Sequence, residues 1–200
     1  LDGYEWLLQN GYTEEQIIVA GDSAGGGLAL ALCLALKENG RKLPCGIIAM
    51  SPWTDMTASG PSYKENFDKD PLFGGTDDSM INNREYAGEE DLTNPLLSPL
   101  FGDYEGFPPL LIQVGSYEML LSDSVLLAQK AKEAGVKVRL SIYEGMFNVF
   151  QMAPLALPEC KRAWVEIGHF IEEISGGRAE YGQTDEDKTD DRGEPADADE

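Results

Sequence analysis

The sequence predicts an α/β protein built on a mostly parallel sheet with flanking helices. Three observations carry this expectation. Short apolar runs at 16–20, 46–50, 110–114 and 136–143 read as strands, and the run at 46–50 is apolar without interruption, as strands covered on both faces are. Stretches rich in helix formers at 24–38 and 123–134 lie between them. Alternation of the two implies strand–helix–strand units, whose strands run parallel.

Taken in order, Tyr4, Trp6, Leu7 and Leu8 read as the end of an amphipathic helix stopped at Asn10-Gly11. The strand at 16–20 runs into a Gly-Asp-Ser-Ala-Gly turn, and the Ala- and Leu-rich helix after it closes at Asn39-Gly40. After the strand at 46–50 the pattern breaks into Pro, Gly, Asp and Asn clusters. The region about 54–99 reads as a lid-like excursion over the sheet, with one short helix at 77–87. Regularity returns with the strand at 110–114, the helix at 123–134, the strand at 136–143 and a last helix at 155–174. One domain over 1–175 is expected, followed by an acidic tail at 176–200 that offers almost nothing apolar to bury and reads as disordered.

Composition narrows the function classes. With 36 acidic against 15 basic side chains, the net charge of -21 repels nucleic acid and anionic membrane surfaces. A salt-adapted origin would favour the same acidic surface. No apolar run reaches membrane-spanning length, so stable membrane insertion is not expected. The 3 cysteines, Cys33, Cys45 and Cys160, show no metal-ligand spacing, and their odd number fits a reducing, cytoplasmic setting. A signal upstream of Leu1 stays open.

Gly21-Asp22-Ser23-Ala24-Gly25 matches the G-x-S-x-G nucleophile elbow and lies between a strand and a helix, where that motif works. Its glycines let the backbone take a sharp turn, so that the hydroxyl of Ser23 projects above the sheet and the Ala24 N–H faces an oxyanion. The competing reading is a Gly-rich turn that binds a phosphate or merely packs. Asp22 is expected to fix the turn by hydrogen bonds to backbone, not to act chemically.

A series of further motifs then resembles the hormone-sensitive-lipase-like family of α/β-hydrolases, in its bacterial esterase branch. The series is Gly21-Asp22-Ser23-Ala24-Gly25-Gly26-Gly27, Ser51-Pro52-Trp53-Thr54-Asp55, Asn94-Pro95 with Ser98-Pro99-Leu100, Pro108-Pro109-Leu110, Gln113-Val114-Gly115-Ser116 and Tyr143-Glu144-Gly145-Met146-Phe147. The resemblance implies a partial α/β-hydrolase fold and hydrolysis of a small-molecule carboxylic ester through a serine acyl-enzyme, with no metal or organic cofactor. It places the acidic member at Glu118, with Asp123 as runner-up. The family's base is a histidine in a Gly-Met-x-His-x-Phe stretch, where this chain carries Gly145-Met146-Phe147-Asn148-Val149-Phe150. An amide has no nitrogen that titrates near neutrality, so Asn148 can hydrogen-bond Ser23 but cannot take its proton. Loss of such a base costs on the order of 10⁶ in turnover. The sole histidine, His169, falls in a helical stretch beyond the loop and reads as a packing or surface residue.

The family's H-G-G-G-type oxyanion segment and its first strands would lie upstream of Leu1. A chain that begins there is expected to expose 16–20 as an apolar edge and to self-associate into a homo-oligomer. Trp53, Met146, Phe147 and Phe150 read either as an acyl pocket or as core, with Trp53 and Phe147 the candidates for substrate contact. Three functions compete: an ester hydrolase, a non-catalytic small-ligand binder on the same scaffold, like the plant gibberellin receptors that also lack the histidine, and an inactive fragment.

Overall fold

The computed structural model describes residues 1–75, 84–153 and 157–176. Four parallel strands, β1 (Ile18–Asp22), β2 (Gly46–Met50), β3 (Leu110–Gly115) and β4 (Val138–Tyr143), form one sheet in the order β1-β2-β3-β4. Six α-helices accompany them among the described residues: α1 (Asp2–Gln9), α2 (Ala24–Glu38), α3 (Ser62–Glu65), α4 (Arg84–Ala87), α5 (Leu121–Glu133) and α6 (Pro158–Ile174).

Successive strand residues point to opposite faces, and the core divides accordingly. Ile47, Ala49, Leu110 and Ile112 face α2 and α5, where Leu30, Cys33, Leu127 and Ala131 complete the larger cluster. Ile48, Met50 and Leu111 face the other way, onto Ile167 and Phe170 of α6. Both faces are therefore covered, which accounts for the unbroken apolar character of β2 and for the burial of every residue of β3. Tyr4 of α1 packs with Ile17 and Leu36 in a smaller cluster, and its hydroxyl donates to the Lys42 carbonyl.

Most expected elements appear, with shifted ends. A 3-10 turn at Glu14–Gln16, boxed by Thr13, occupies the start of the expected first strand, and pairing of Asp22 with Met50 carries β1 further along the chain. Strand β4 begins at Val138, because Gly135 at φ +82 closes α5 and the Val136 N–H donates to the Ala131 carbonyl. Of the short helix expected at 77–87, α4 is the described part, and 76–83 lies outside the described residues. Helix α3 was not expected from the sequence. The expected last helix starts at Pro158, with 154–156 outside the described residues, as is the tail at 177–200. No described helix is long and apolar enough to cross a membrane.

The described part of the excursion is pinned to the turn between β3 and α5 and to the first turn of α5. Asp123 accepts from the Thr54 and Asp55 N–H groups at 2.8 and 2.9 Å. Asn66 Nδ2 donates to the Ser116 and Glu118 carbonyls at 3.0 and 2.8 Å, and Asp70 accepts from the Met119 N–H at 2.8 Å. These buried hydrogen bonds tie the two segments together.

Candidate active site

The carboxyl ends of the four strands lie along one edge of the sheet, and each feeds a turn that carries a candidate group. Ser23 follows β1, Ser51 follows β2, Glu118 follows β3 and Asn148 follows β4. Three of the four non-glycine residues with positive φ among the described residues lie here: Ser23 at 49°, Ser51 at 48° and Val149 at 57°. Such backbone costs free energy and persists only where its surroundings hold it, and it concentrates at functional sites.

Ser23 is half-buried at the first turn of α2, with φ 49° and ψ -118°. Its N–H donates to the Met50 carbonyl and its carbonyl accepts from the Trp53 N–H, both at 2.9 Å, so the strained turn is clamped against the end of β2. The close approach needs Gly27, where a Cβ would stand 2.2 Å from the Trp53 carbonyl oxygen. Asp22 does not hold the turn as expected. It is exposed, and its side chain makes no hydrogen bond among the described residues, because backbone bonds to Met50 and Trp53 do that work.

Ala24 is the first residue of α2, so its N–H has no helical partner and lies at the positive end of the helix. It lines a cavity of about 340 Å3 together with Leu28, Trp53, Met56, Leu96 and Leu97. Trp53, one of the two candidates for substrate contact, thus lines this cavity. Phe147 does not line this cavity. With Met146 it packs against Phe150, Cys160 and Ala163 of the cluster under α6.

Glu118 is fully buried. Its Oε1 accepts from the Ser51 hydroxyl at 2.7 Å and the Gly115 N–H at 2.5 Å, and its Oε2 accepts from Asn148 Nδ2 at 3.3 Å. Burial pushes its carboxyl up to about 7, against these three donors, which favour the charged form, and the nearby Asp70 charge adds to the rise. Asp123, the alternative acid, is also raised to about 7 by burial. Its Oδ2 is committed to the Thr54 and Asp55 N–H groups, so it braces the excursion and does not meet Asn148.

Asn148 is buried, and Nδ2 also reaches the Ser51 carbonyl at 3.5 Å. The acid and the base position are therefore in contact. No hydrogen bond joins Asn148 to the Ser23 hydroxyl among the described residues. His169 is exposed on α6, beside Arg139 and Arg162, in a surface hollow that shares no lining residue with the cavity at Trp53. Sequence reasoning overlooked Ser51, although its Ser-Pro-Trp-Thr-Asp motif was in view, and Asn66, whose loop position reads as a turn former.

Comparison with known proteins identifies this scaffold. Residues 1–152 match the alpha/beta hydrolase fold family, and the chain belongs to it. It is 41% identical over 171 residues to an esterase of Acinetobacter venetianus, covering 84% of this chain and 56% of that protein. It is 39% identical over 173 residues to an acetyl-hydrolase of Streptomyces hygroscopicus, with 86% and 58% covered. The crystal structure of an esterase from the bacterial hormone-sensitive lipase family superposes with a TM-score of 0.81 at 40% identity, over 86% of this chain and 58% of that one. The chain thus spans less than two thirds of the length of these relatives.

Proposed function

We propose that the protein is a carboxylic-ester hydrolase that works through an acyl-enzyme on Ser23, and that its turnover is suppressed in this chain by Asn148. The observation that carries the reading is the strained Ser23 turn at the start of α2, opening on an apolar cavity with Ala24 at its wall. In this scheme the Ser23 oxygen attacks the ester carbonyl and the Ala24 N–H stabilises the oxyanion, with the alkoxide leaving and water releasing the acid. Both halves need a group that relays a proton: it takes one from Ser23 and gives it to the leaving alkoxide, then takes one from water and gives it to Ser23. Glu118 would orient that group, and Asn148 stands in its place with an amide that cannot titrate. The esterase and acetyl-hydrolase names of the relatives support the same class.

A second reading, a small-ligand binder on this scaffold, is favoured by the same Asn148, because the cavity survives where the proton acceptor does not. The test is hydrolysis of p-nitrophenyl butyrate by the protein, by Asn148→His and by Ser23→Ala. Turnover by Asn148→His that exceeds Ser23→Ala by about 10³-fold or more supports the hydrolase reading. Turnover by a folded Asn148→His that stays at the Ser23→Ala background, with saturable binding of an ester analogue, selects the binder.

A further inference from the structure

Ser51 stands between the two turns that carry Glu118 and Asn148. It directly follows β2, whose last residue pairs with Asp22 of β1 and Gln113 of β3, so it sits in the middle of the carboxyl edge. It is fully buried, and every polar group it has is engaged. Its hydroxyl donates to Glu118 Oε1 at 2.7 Å and accepts from the Val149 N–H at 3.0 Å. Its N–H donates to the Gln113 carbonyl at 2.6 Å, and its carbonyl accepts from Asn148 Nδ2 at 3.5 Å. The hydroxyl therefore acts once as donor and once as acceptor, toward segments that the chain separates widely.

The backbone of Ser51 has φ +48°, a conformation that glycine adopts without strain. A serine there costs free energy that glycine would not, and its side chain has to return something for it. The partner of its second bond, Val149, is itself left-handed at φ 57° and β-branched, which makes it a conformation that needs holding. We infer that Ser51 is a positioning residue that ties the carboxyl of Glu118 to the Asn148 turn, so that the acid and the residue it orients are placed as one unit. The inference rests on the ester-hydrolase reading of the Ser23 site.

Ser51→Gly is the informative variant, because it keeps the backbone conformation and removes both hydroxyl bonds. Two readouts are needed. The first is a carbon-13 titration of the Glu118 carboxyl with the side-chain amide resonance of Asn148, in the otherwise unaltered chain. The midpoint of Glu118 is expected to rise and the Asn148 amide to shift, while Asp123, which does not touch Ser51, keeps its midpoint. The second is turnover in the Asn148→His background, where Ser51→Gly is expected to lower kcat roughly 10- to 100-fold with KM little changed. A folded Ser51→Gly that leaves either readout unmoved overturns the inference. If Asn148→His itself does not exceed Ser23→Ala, the hydrolase reading fails, and the titration alone decides whether Ser51 couples the two turns.

Discussion

Asn148 Nδ2 donates to Glu118 Oε2 at 3.3 Å inside the protein, so a buried carboxyl faces a neutral amide where an orienting acid would face an imidazole. A neutral donor favours the carboxylate far less than a cation does, and burial prevails, leaving Glu118 near 7. Placing a histidine at 148 reverses the balance, because the imidazolium and the carboxylate stabilise each other. The ester hydrolysis gained by Asn148→His is expected to rise with pH through about 6 to 7, as the imidazole becomes free to accept a proton. A pH–rate profile of the variant checks this; a flat profile across that range would show that the new side chain is not the base.

Burial also links stability to pH, through Glu118 and Asp123 together. Both have folded values of about 7, against ordinary values of 4.5 and 3.8. Between those limits the folded state binds more protons than the unfolded one. The contribution of these two groups to stability is therefore greatest below the ordinary values and is lost as pH rises through about 7, by on the order of a few kcal/mol. Urea midpoints at pH 5 and pH 8 measure the difference. Asp123→Asn retains an acceptor for the Thr54 and Asp55 N–H groups without the charge, and is expected to lose less between the two pH values.

Two glycines of one turn are expected to behave oppositely. An added Cβ at Gly27 would stand 2.2 Å from the Trp53 carbonyl oxygen, whereas one at Gly25 meets nothing within 4 Å. Gly27→Ala must push the Ser23 turn off β2 and is expected to cost about 3 kcal/mol or more. Gly25→Ala is expected to stay within about 1 kcal/mol of the parent, on the stabilising side, because it lies in α2. Chemical denaturation of both variants gives the comparison.

Asn66→Ala removes the hydrogen bonds to the half-buried Ser116 and the buried Glu118 carbonyls and is expected to destabilise by about 1 to 3 kcal/mol. Because the acid turn hangs on these bonds, amide exchange at Met119 and Leu120 should accelerate more than exchange in β2. Uniform acceleration would mean that the excursion does not brace that turn.

How far the sequence revealed the site depended on how local each signal was. Helix α2 and strand β2 were readable end to end, because a stretch dominated by Ala and Leu and a five-residue apolar run each declare one structure. Ser23 was readable because the elbow motif sits inside its own strand and helix. Glu118 and Asn148 could be placed only through motif order along the chain. For Phe147 pocket and core stayed open, because the direction of a side chain in a turn depends on where α6 packs, and no local pattern encodes that. Ser51 escaped for a similar reason: its partner lies 67 positions away, and the motif that contains it carries no mark of that contact.

The strands lie side by side in the order in which they occur in the chain, and this sets a timetable for synthesis on the ribosome. The serine turn emerges first, the acid turn next, and the turn bearing Asn148 only after β4. A nascent chain that has docked β1, β2 and β3 therefore holds Ser23 and Glu118 without the segment that bears Asn148, and the cluster of donors around Glu118 closes last.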